Sequence, residues 1–306
     1  MNQKPYRDYN SYLRELFGCR VQKITLDAGL TCPNRDGSLG NRGCIYCNDL
    51  GSGTGAARQS LSITDQIQRG KVYLGKRYKA EKFLAYFQSF SNTYAPLPVL
   101  RGLYGEALAD PDIVGLSIGT RPDCVEDPVL DYLHELSKRH MIWIEYGLQS
   151  SHEATLDLIR RGHSVDAFVD AARRTHERGI PVCAHVILGL PGEGSHEMLD
   201  TARFLASQPI QAVKIHLLYV VRGTALEEWY RSGDYVCLSR EEYVSIVGDF
   251  LALLPAHVVI QRLTGDPHPE ELVAPLWALE KQRNVGAILD DLRNRELFQG
   301  KYWKGG

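Results

Sequence analysis

An α/β fold, a partial (β/α)6-type TIM barrel with short N- and C-terminal extensions, is predicted by three features of this 306-residue sequence. Short β-branched runs alternate with longer segments of helical spacing. Several helical segments carry apolar residues at i, i+3 and i+4, and no repeat, low-complexity tract or linker divides the chain. Repeated βα order gives a parallel sheet with helices outside it and places functional residues at the C-terminal ends of the strands. We expect one catalytic domain over 1–306, with a core over about 20–255 and a C-terminal extension over about 256–306.

Each element follows from its residues. Strands are expected over Val21 to Leu26, Lys82 to Gln88, Ile113 to Ile118, Met141 to Leu148, Val182 to Leu188, Ala212 to Leu218 and Val258 to Arg262. Helices are expected over Asp127 to Arg139, Ser151 to Arg160, Val165 to Arg178, Ser195 to Ser207 and Arg240 to Leu253. The strand ends are where chemistry belongs. The second is followed by Gln88-Ser89-Phe90-Ser91-Asn92-Thr93, a polar segment placed to hydrogen-bond a ligand or to cap a turn. After the third comes Thr120-Arg121-Pro122-Asp123, whose Arg and Asp can pair with each other. Alternation in the fourth puts Glu145, Gly147 and Gln149 on one face, where an inward acid and amide need a polar ligand or each other. In the sixth, Lys214, His216 and Leu218 share a side.

A chain that is 44% hydrophobic and 24% charged can bury a large core. It opens on polar residues and nowhere reaches eighteen consecutive apolar ones, so neither export nor a membrane span is expected. A reducing cytoplasm is the expected compartment, and Cys19, Cys124, Cys183 and Cys237 read as packing thiols.

The loop after the first strand holds Cys32, Cys44 and Cys47 within sixteen residues. Three thiolates on a [4Fe–4S] cluster leave one iron open to chelation by the amino and carboxylate groups of S-adenosylmethionine (SAM). A zinc knuckle completed by a distant His, in a nucleic-acid-binding module, fits the Cys44/Cys47 pair as well. The small polar residues from Asp36 to Gly43 suit backbone amides approaching a cluster.

Beyond the cysteines, Thr120-Arg121-Pro122-Asp123, Gly147-Leu148-Gln149-Ser150, Arg161-Gly162-His163 and Gly189-Leu190-Pro191-Gly192 resemble the radical SAM enzymes of the elongator and oxygen-independent coproporphyrinogen oxidase type. Cys32-Pro33-Asn34-Arg35-Asp36-Gly37, Gln261 to Asp266, Ala274-Pro275-Leu276-Trp277 and Gln299-Gly300-Lys301 resemble the YtqA/YhcC family within that group. The resemblance implies that Cys32, Cys44 and Cys47 ligate a [4Fe–4S] cluster, with Tyr46 shielding it. It implies SAM contacts from Gln88, Ser91, Asn92, Thr120 and Glu145, from Gln149 and Arg161 to the ribose and carboxylate, and from Ile187 and Leu188 to the adenine. Eleven residues separate Cys32 from Cys44 where the common motif has three, and the amino-group site lacks paired glycines and a glutamate.

The implied reaction is reductive cleavage of SAM to a 5′-deoxyadenosyl radical, fed by a flavodoxin- or ferredoxin-type donor. The implied substrate is tRNA, at the wobble-uridine C5 side chain, taken from carboxymethylaminomethyl to aminomethyl. A small-molecule or peptide substrate is the alternative. The net charge of −2 gives no global basic signal. Even so, Arg69 to Lys79 and Arg293 to Lys304 interleave basic and aromatic residues, and we expect both segments to hold tRNA over the barrel mouth.

Overall fold

The structure, a computed structural model, describes residues 4–49, 51, 56 and 59–305. In chain order the strands are β1 (Val21–Leu26), β2 (Lys82–Phe87), β3 (Ile113–Thr120), β4 (Met141–Gln149), β5 (Val182–Leu188), β6 (Ala212–Leu217), β7 (Val220–Val221), β8 (Val259–Arg262) and β9 (Leu272–Ala274). The helices are α1 (Tyr9–Phe17), α2 (Ile63–Tyr78), α3 (Leu97–Leu108), α4 (Asp127–Ser137), α5 (Glu153–Leu158), α6 (Val165–Glu177), α7 (Ser195–Ala206), α8 (Ala225–Ser232), α9 (Arg240–Leu253) and α10 (Lys281–Asn294). Among the described residues seven strands form one sheet in the order β1-β2-β3-β4-β5-β6-β8, every neighbouring pair parallel. The expected partial barrel is therefore the observed architecture, an open half-barrel whose strands run in sequence order. β8, from the C-terminal extension, supplies the seventh strand. A short antiparallel ribbon, β7 with β9, stands beside the barrel mouth.

Helix starts follow their caps: Ser62, Ser164, Thr224 and Ser239 each accept a backbone N–H from the first turn of α2, α6, α8 and α9. Ser239 and Glu242 close a reciprocal capping box. The outer sheet face packs on the helices through one large cluster that includes Leu116, Ile144, Val186 and Ile215 from the strands and Leu130, Phe168, Leu205 and Phe250 from the helices. The inner face is layered, as inward alternation requires. At the strand N-termini, Val21, Leu84, Trp143, Cys183, Ala212 and Val259 meet α1. Tyr9 and Tyr12 stand edge-on to Trp143, each with ring centroids about 6.1 Å away, and Leu13 is buried beside Val21 and Leu84. α1 thus plugs the barrel at the end opposite its functional rim, and above this apolar floor the inner positions turn polar.

Candidate functional site

The cysteine loop leaves β1 at the rim and is folded by its own hydrogen bonds. The amides of Arg35 and Asp36 donate to the Cys32 carbonyl at 2.8 and 3.2 Å, that of Gly43 to Asn34 at 2.8 Å and that of Cys47 to Cys44 at 3.0 Å. Cys32, Cys44 and Cys47 line one cavity of about 230 Å³ at the C-terminal ends of the strands. Arg35 Nη2 donates to the carbonyls of Cys47 and Asn48 at 2.8 and 2.7 Å, which fixes the turn carrying the last thiol. Burial, and then the neighbouring Cys44, push the Cys47 thiol up to about 11. Three converging thiols, one buried and two half-buried, suit a cationic metal centre, because binding metal takes the thiolate form and removes the cost of ionising Cys47 there.

Asn34 stitches the loop to the opposite side of the cavity. Its Nδ2 donates to the carbonyls of Arg160 and Arg161, both at 2.9 Å, and lies 3.6 Å from Cys44 Sγ. Arg161 donates Nε and Nη2 to the Gly147 carbonyl at 3.2 and 2.8 Å, with Nη1 3.8 Å from Cys44 Sγ. Arg121 and Asp123 do pair with each other, at 2.9 and 2.7 Å, and Arg121 Nη1 holds the Arg161 carbonyl at 2.6 Å. Space here is tight. A Cβ on Gly147 would lie 2.5 Å from Arg161 Nη2 and 2.6 Å from Gln149 Nε2, so any larger residue there displaces the ends of these two side chains. Gln149 itself sits at φ 77, where an L side chain is strained, at an irregularity in the β4–β5 register.

Of the residues expected to contact SAM, Gln88, Ser91, Thr120, Glu145, Gln149, Arg161 and Ile187 line the cavity, beside Tyr46. The side chains of the other two lie elsewhere, and both expectations are corrected. Leu188 falls on the outer face of β5, because inward positions there are Cys183, His185 and Ile187, and it packs in the sheet–helix core. Asn92 is fully buried with Nδ2 donating to the Gly119 carbonyl at 2.8 Å, which pins the segment after β2 onto β3.

Glu145 lines the bottom of the cavity and has its oxygens occupied. Lys23 and Ser117 donate to Oε1, and His185 Nε2 and Lys214 lie 2.6 and 3.2 Å from Oε2. Burial would raise its pKa, but Lys214, Lys23 and His185 hold it well below the ordinary carboxylate range. Lys214 also donates to the Tyr86 hydroxyl at 2.7 Å. Lys23, Tyr86, Ser117, Glu145, His185 and Lys214 are thus one polar layer above the α1 plug. Sequence reasoning found Glu145 and Lys214 and missed Lys23, Tyr86, Ser117 and His185. The signal was present, since each sits at an inward position of its strand.

The two basic aromatic segments lie away from this cavity, contrary to expectation. The end of α2 carrying Lys76 and Arg77 precedes β2 by a few residues, and the Glu81 amide bonds the Arg20 carbonyl just before β1. Gln299 bonds the carbonyls of Pro255 and Val258 ahead of β8, and Trp303 rests on His257. Both segments therefore sit at the strand N-terminal end, because a helix that returns to start a parallel strand ends at the foot of the sheet. Exposed arginines next in sequence to cavity-lining residues are Arg42, beside Gly43 in the cysteine loop, Arg160, beside Arg161, and Arg222, after Val221 of β7. Among the described residues no helix is long and apolar enough to cross a membrane.

Residues 38–205 match the radical SAM superfamily and residues 210–294 the Radical_SAM C-terminal domain. The chain is 41% identical over 302 residues to the uncharacterized protein YtqA of Bacillus subtilis, covering 99% of this chain and 94% of that one. It is 36% identical over 300 residues to protein YhcC of Escherichia coli, covering 97% and 95%. The tRNA uridine(34) acetyltransferase of Dehalococcoides mccartyi is 30% identical over 156 residues, 50% of this chain and 33% of that protein. Among solved structures, the archaeal Methanocaldococcus infernus Elp3 superposes with a TM-score of 0.71 at 16% identity, over 91% of this chain and 64% of that one, a likeness of fold. With a half-barrel, three thiols on its rim cavity and these matches over most of its length, the chain belongs to the radical SAM superfamily, whose enzymes carry a [4Fe–4S] cluster and SAM, and groups with YtqA and YhcC.

Proposed function

We propose that Cys32, Cys44 and Cys47 hold three irons of the cluster and that SAM lies across the rim against Gln88, Ser91, Thr120, Gln149, Arg161 and Ile187. The observation that carries this reading is the convergence of the three thiols with these polar strand ends on one cavity. When bound, the reduced cluster supplies the electron that cleaves SAM, and the SAM-derived radical abstracts hydrogen from an unactivated carbon. The chain's own part is to hold and to orient. Asn34 and Arg161 fix the cysteine loop against β4, and Gln149 at its strained turn presents an amide to the cavity. Tyr46, half-buried beside Cys44 and Arg161, shields the thiols from water. The electron donor in this reading is of flavodoxin or ferredoxin type.

For the substrate we propose tRNA, with the wobble-uridine C5 side chain taken from carboxymethylaminomethyl to aminomethyl. Support comes from the similarity to the tRNA uridine(34) acetyltransferase and from the exposed arginines at the rim. The placement of Lys76, Arg77 and the C-terminal basic segment at the far end favours a second reading, a small-molecule or peptide substrate. Mass spectrometry of tRNA nucleosides from cells lacking the protein decides between them. The tRNA reading expects carboxymethylaminomethyluridine to accumulate and aminomethyl derivatives to disappear, and an unchanged nucleoside profile selects the second reading.

A further inference from the structure

Lys214 carries a donor that the protein does not use. A lysine ammonium has three N–H groups. One goes to the Tyr86 hydroxyl and one to Glu145 Oε2; Nζ also lies 4.2 Å from the Tyr86 ring centroid, and among the described residues no third hydrogen-bond acceptor is bonded to it. The side chain is 5% exposed, so water does not readily satisfy the remainder, yet Lys214 lines the cavity. An unmet donor on a buried charge is costly, and such a group calls for a ligand.

The charges around it are unbalanced in the same direction. Lys23 and Arg262 both act repulsively on Lys214, while Glu145 is the one carboxylate that acts favourably on it. Glu145 is also saturated, with two donors on each oxygen. Neither nearby imidazole adds charge, because burial first, and then the surrounding cations, push His185 down to about 4 and His216 well below its ordinary value. Burial likewise keeps the Cys183 thiol and the Tyr86 phenol protonated. Three cations thus surround one carboxylate, with Lys214 lining the cavity floor and Lys23 and Arg262 behind it. Burial above all, with Arg262 and Lys23, pulls Lys214 down to about 7, and an arriving anion reverses that pull.

We infer that Lys214, backed by Lys23 and Arg262, binds a carboxylate carried by the substrate at the base of the cavity. The inference rests on the tRNA reading above, in which the substrate side chain ends in a carboxylate and the product side chain has lost it. The carboxylate of SAM would be held at the rim, beside Cys32, Cys44 and Cys47. The floor therefore selects substrate over product: the carboxymethyl tail reaches down to Lys214 while the uridine stays near the mouth. His216, which lines the same floor, flanks the tail.

The test uses the reconstituted full-length enzyme and two wobble-modified anticodon stem-loop RNAs, one bearing the carboxymethylaminomethyl group and one its carboxamide. Wild-type enzyme is expected to show a KM at least about 10-fold lower for the carboxylate, the effect of one charge-assisted hydrogen bond. Lys214→Met is expected to lose that preference, and Lys214→Arg to restore part of it. Equal KM for both RNAs with wild-type enzyme overturns the assignment while leaving the tRNA reading intact. So does a Lys214→Met enzyme that lowers kcat equally for both RNAs and keeps the preference, which marks a structural lysine. Absence of turnover on either RNA, with deoxyadenosine still formed, overturns the tRNA reading and this assignment with it.

Discussion

At the scale of single residues, the site is held by a few buried polar side chains whose partners are now visible. Arg161 spans from β4 to the cysteine loop, and Gln149 occupies a left-handed backbone position that few side chains adopt without cause. In the proposed SAM pose both contact the ligand, so Gln149→Ala and Arg161→Ala are expected to weaken SAM binding by roughly 1 to 3 kcal/mol each, the worth of hydrogen bonds involving charge. Anaerobic calorimetry measures this, and unchanged affinity in both variants contradicts the pocket assignment. Much of this was legible beforehand. Inward alternation marked Glu145, Gln149 and Lys214, and the Arg121–Asp123 pair followed from adjacency. Inward position was legible for each partner of Glu145, but which of them meet in one network was not, because they come from β1, β3, β5 and β6, and a single strand does not reveal which residues share its layer. Leu188 and Asn92 were misassigned for a related reason: strand parity excludes the first from the barrel, and a local turn absorbs the second.

At the scale of elements, strands were read closely and several helices were not. A parallel strand buried on both faces shows as a dense apolar run, as in Val182–Leu188, and the observed bounds of that strand and of the edge strand Val21–Leu26 equal the expected ones. Helix α2 instead carries Gly70, Gly75 and four basic residues, so it reads as a charged surface segment, and its apolar contacts concentrate at Ile63 and Ile67. Its charges are also partly spent within the protein. Lys71 bridges Asp110 and Asp112, and Arg77 donates to the Tyr73 hydroxyl at 2.6 Å. The loops at the strand C-terminal ends are the elements that face the cavity, so under the proposed tRNA reading the phosphate contacts fall to Arg42 and Arg222. Replacing those two together is expected to reduce the slope of log affinity against log salt by roughly 1 to 2 units, if each neutralises one phosphate. Replacing Lys76 and Arg77 is expected to leave the slope unchanged. Titration of tRNA at several salt concentrations checks both, and the opposite pattern places the RNA at the foot of the barrel.

At the scale of the whole molecule, the half-barrel separates an apolar end closed by α1 from a polar interior that opens at the cysteine loop. Three histidines are buried neutral in that interior: His163 is pushed down to about 3 and His185 to about 4, chiefly by burial, and His216 falls well below its ordinary value. In the unfolded chain each titrates near ~6.5, so between that pH and its folded value the unfolded state binds more protons, and stability falls as the pH falls. Each histidine contributes up to about 1.4 kcal/mol per pH unit in that window. The urea midpoint of the holoprotein is expected to drop between pH 7.5 and 5.5 and to drop less in His163→Asn, whereas a midpoint independent of pH contradicts the buried neutral layer. The central claim is that three thiols on this rim make a radical SAM enzyme, and formation of 5′-deoxyadenosine by the anaerobically reconstituted, chemically reduced protein tests it most directly. The account predicts one [4Fe–4S] cluster per chain and SAM-dependent deoxyadenosine in the parent protein, with both lost in Cys32→Ala, Cys44→Ala and Cys47→Ala. Tightly bound zinc in the parent protein, with no deoxyadenosine formed, would contradict it.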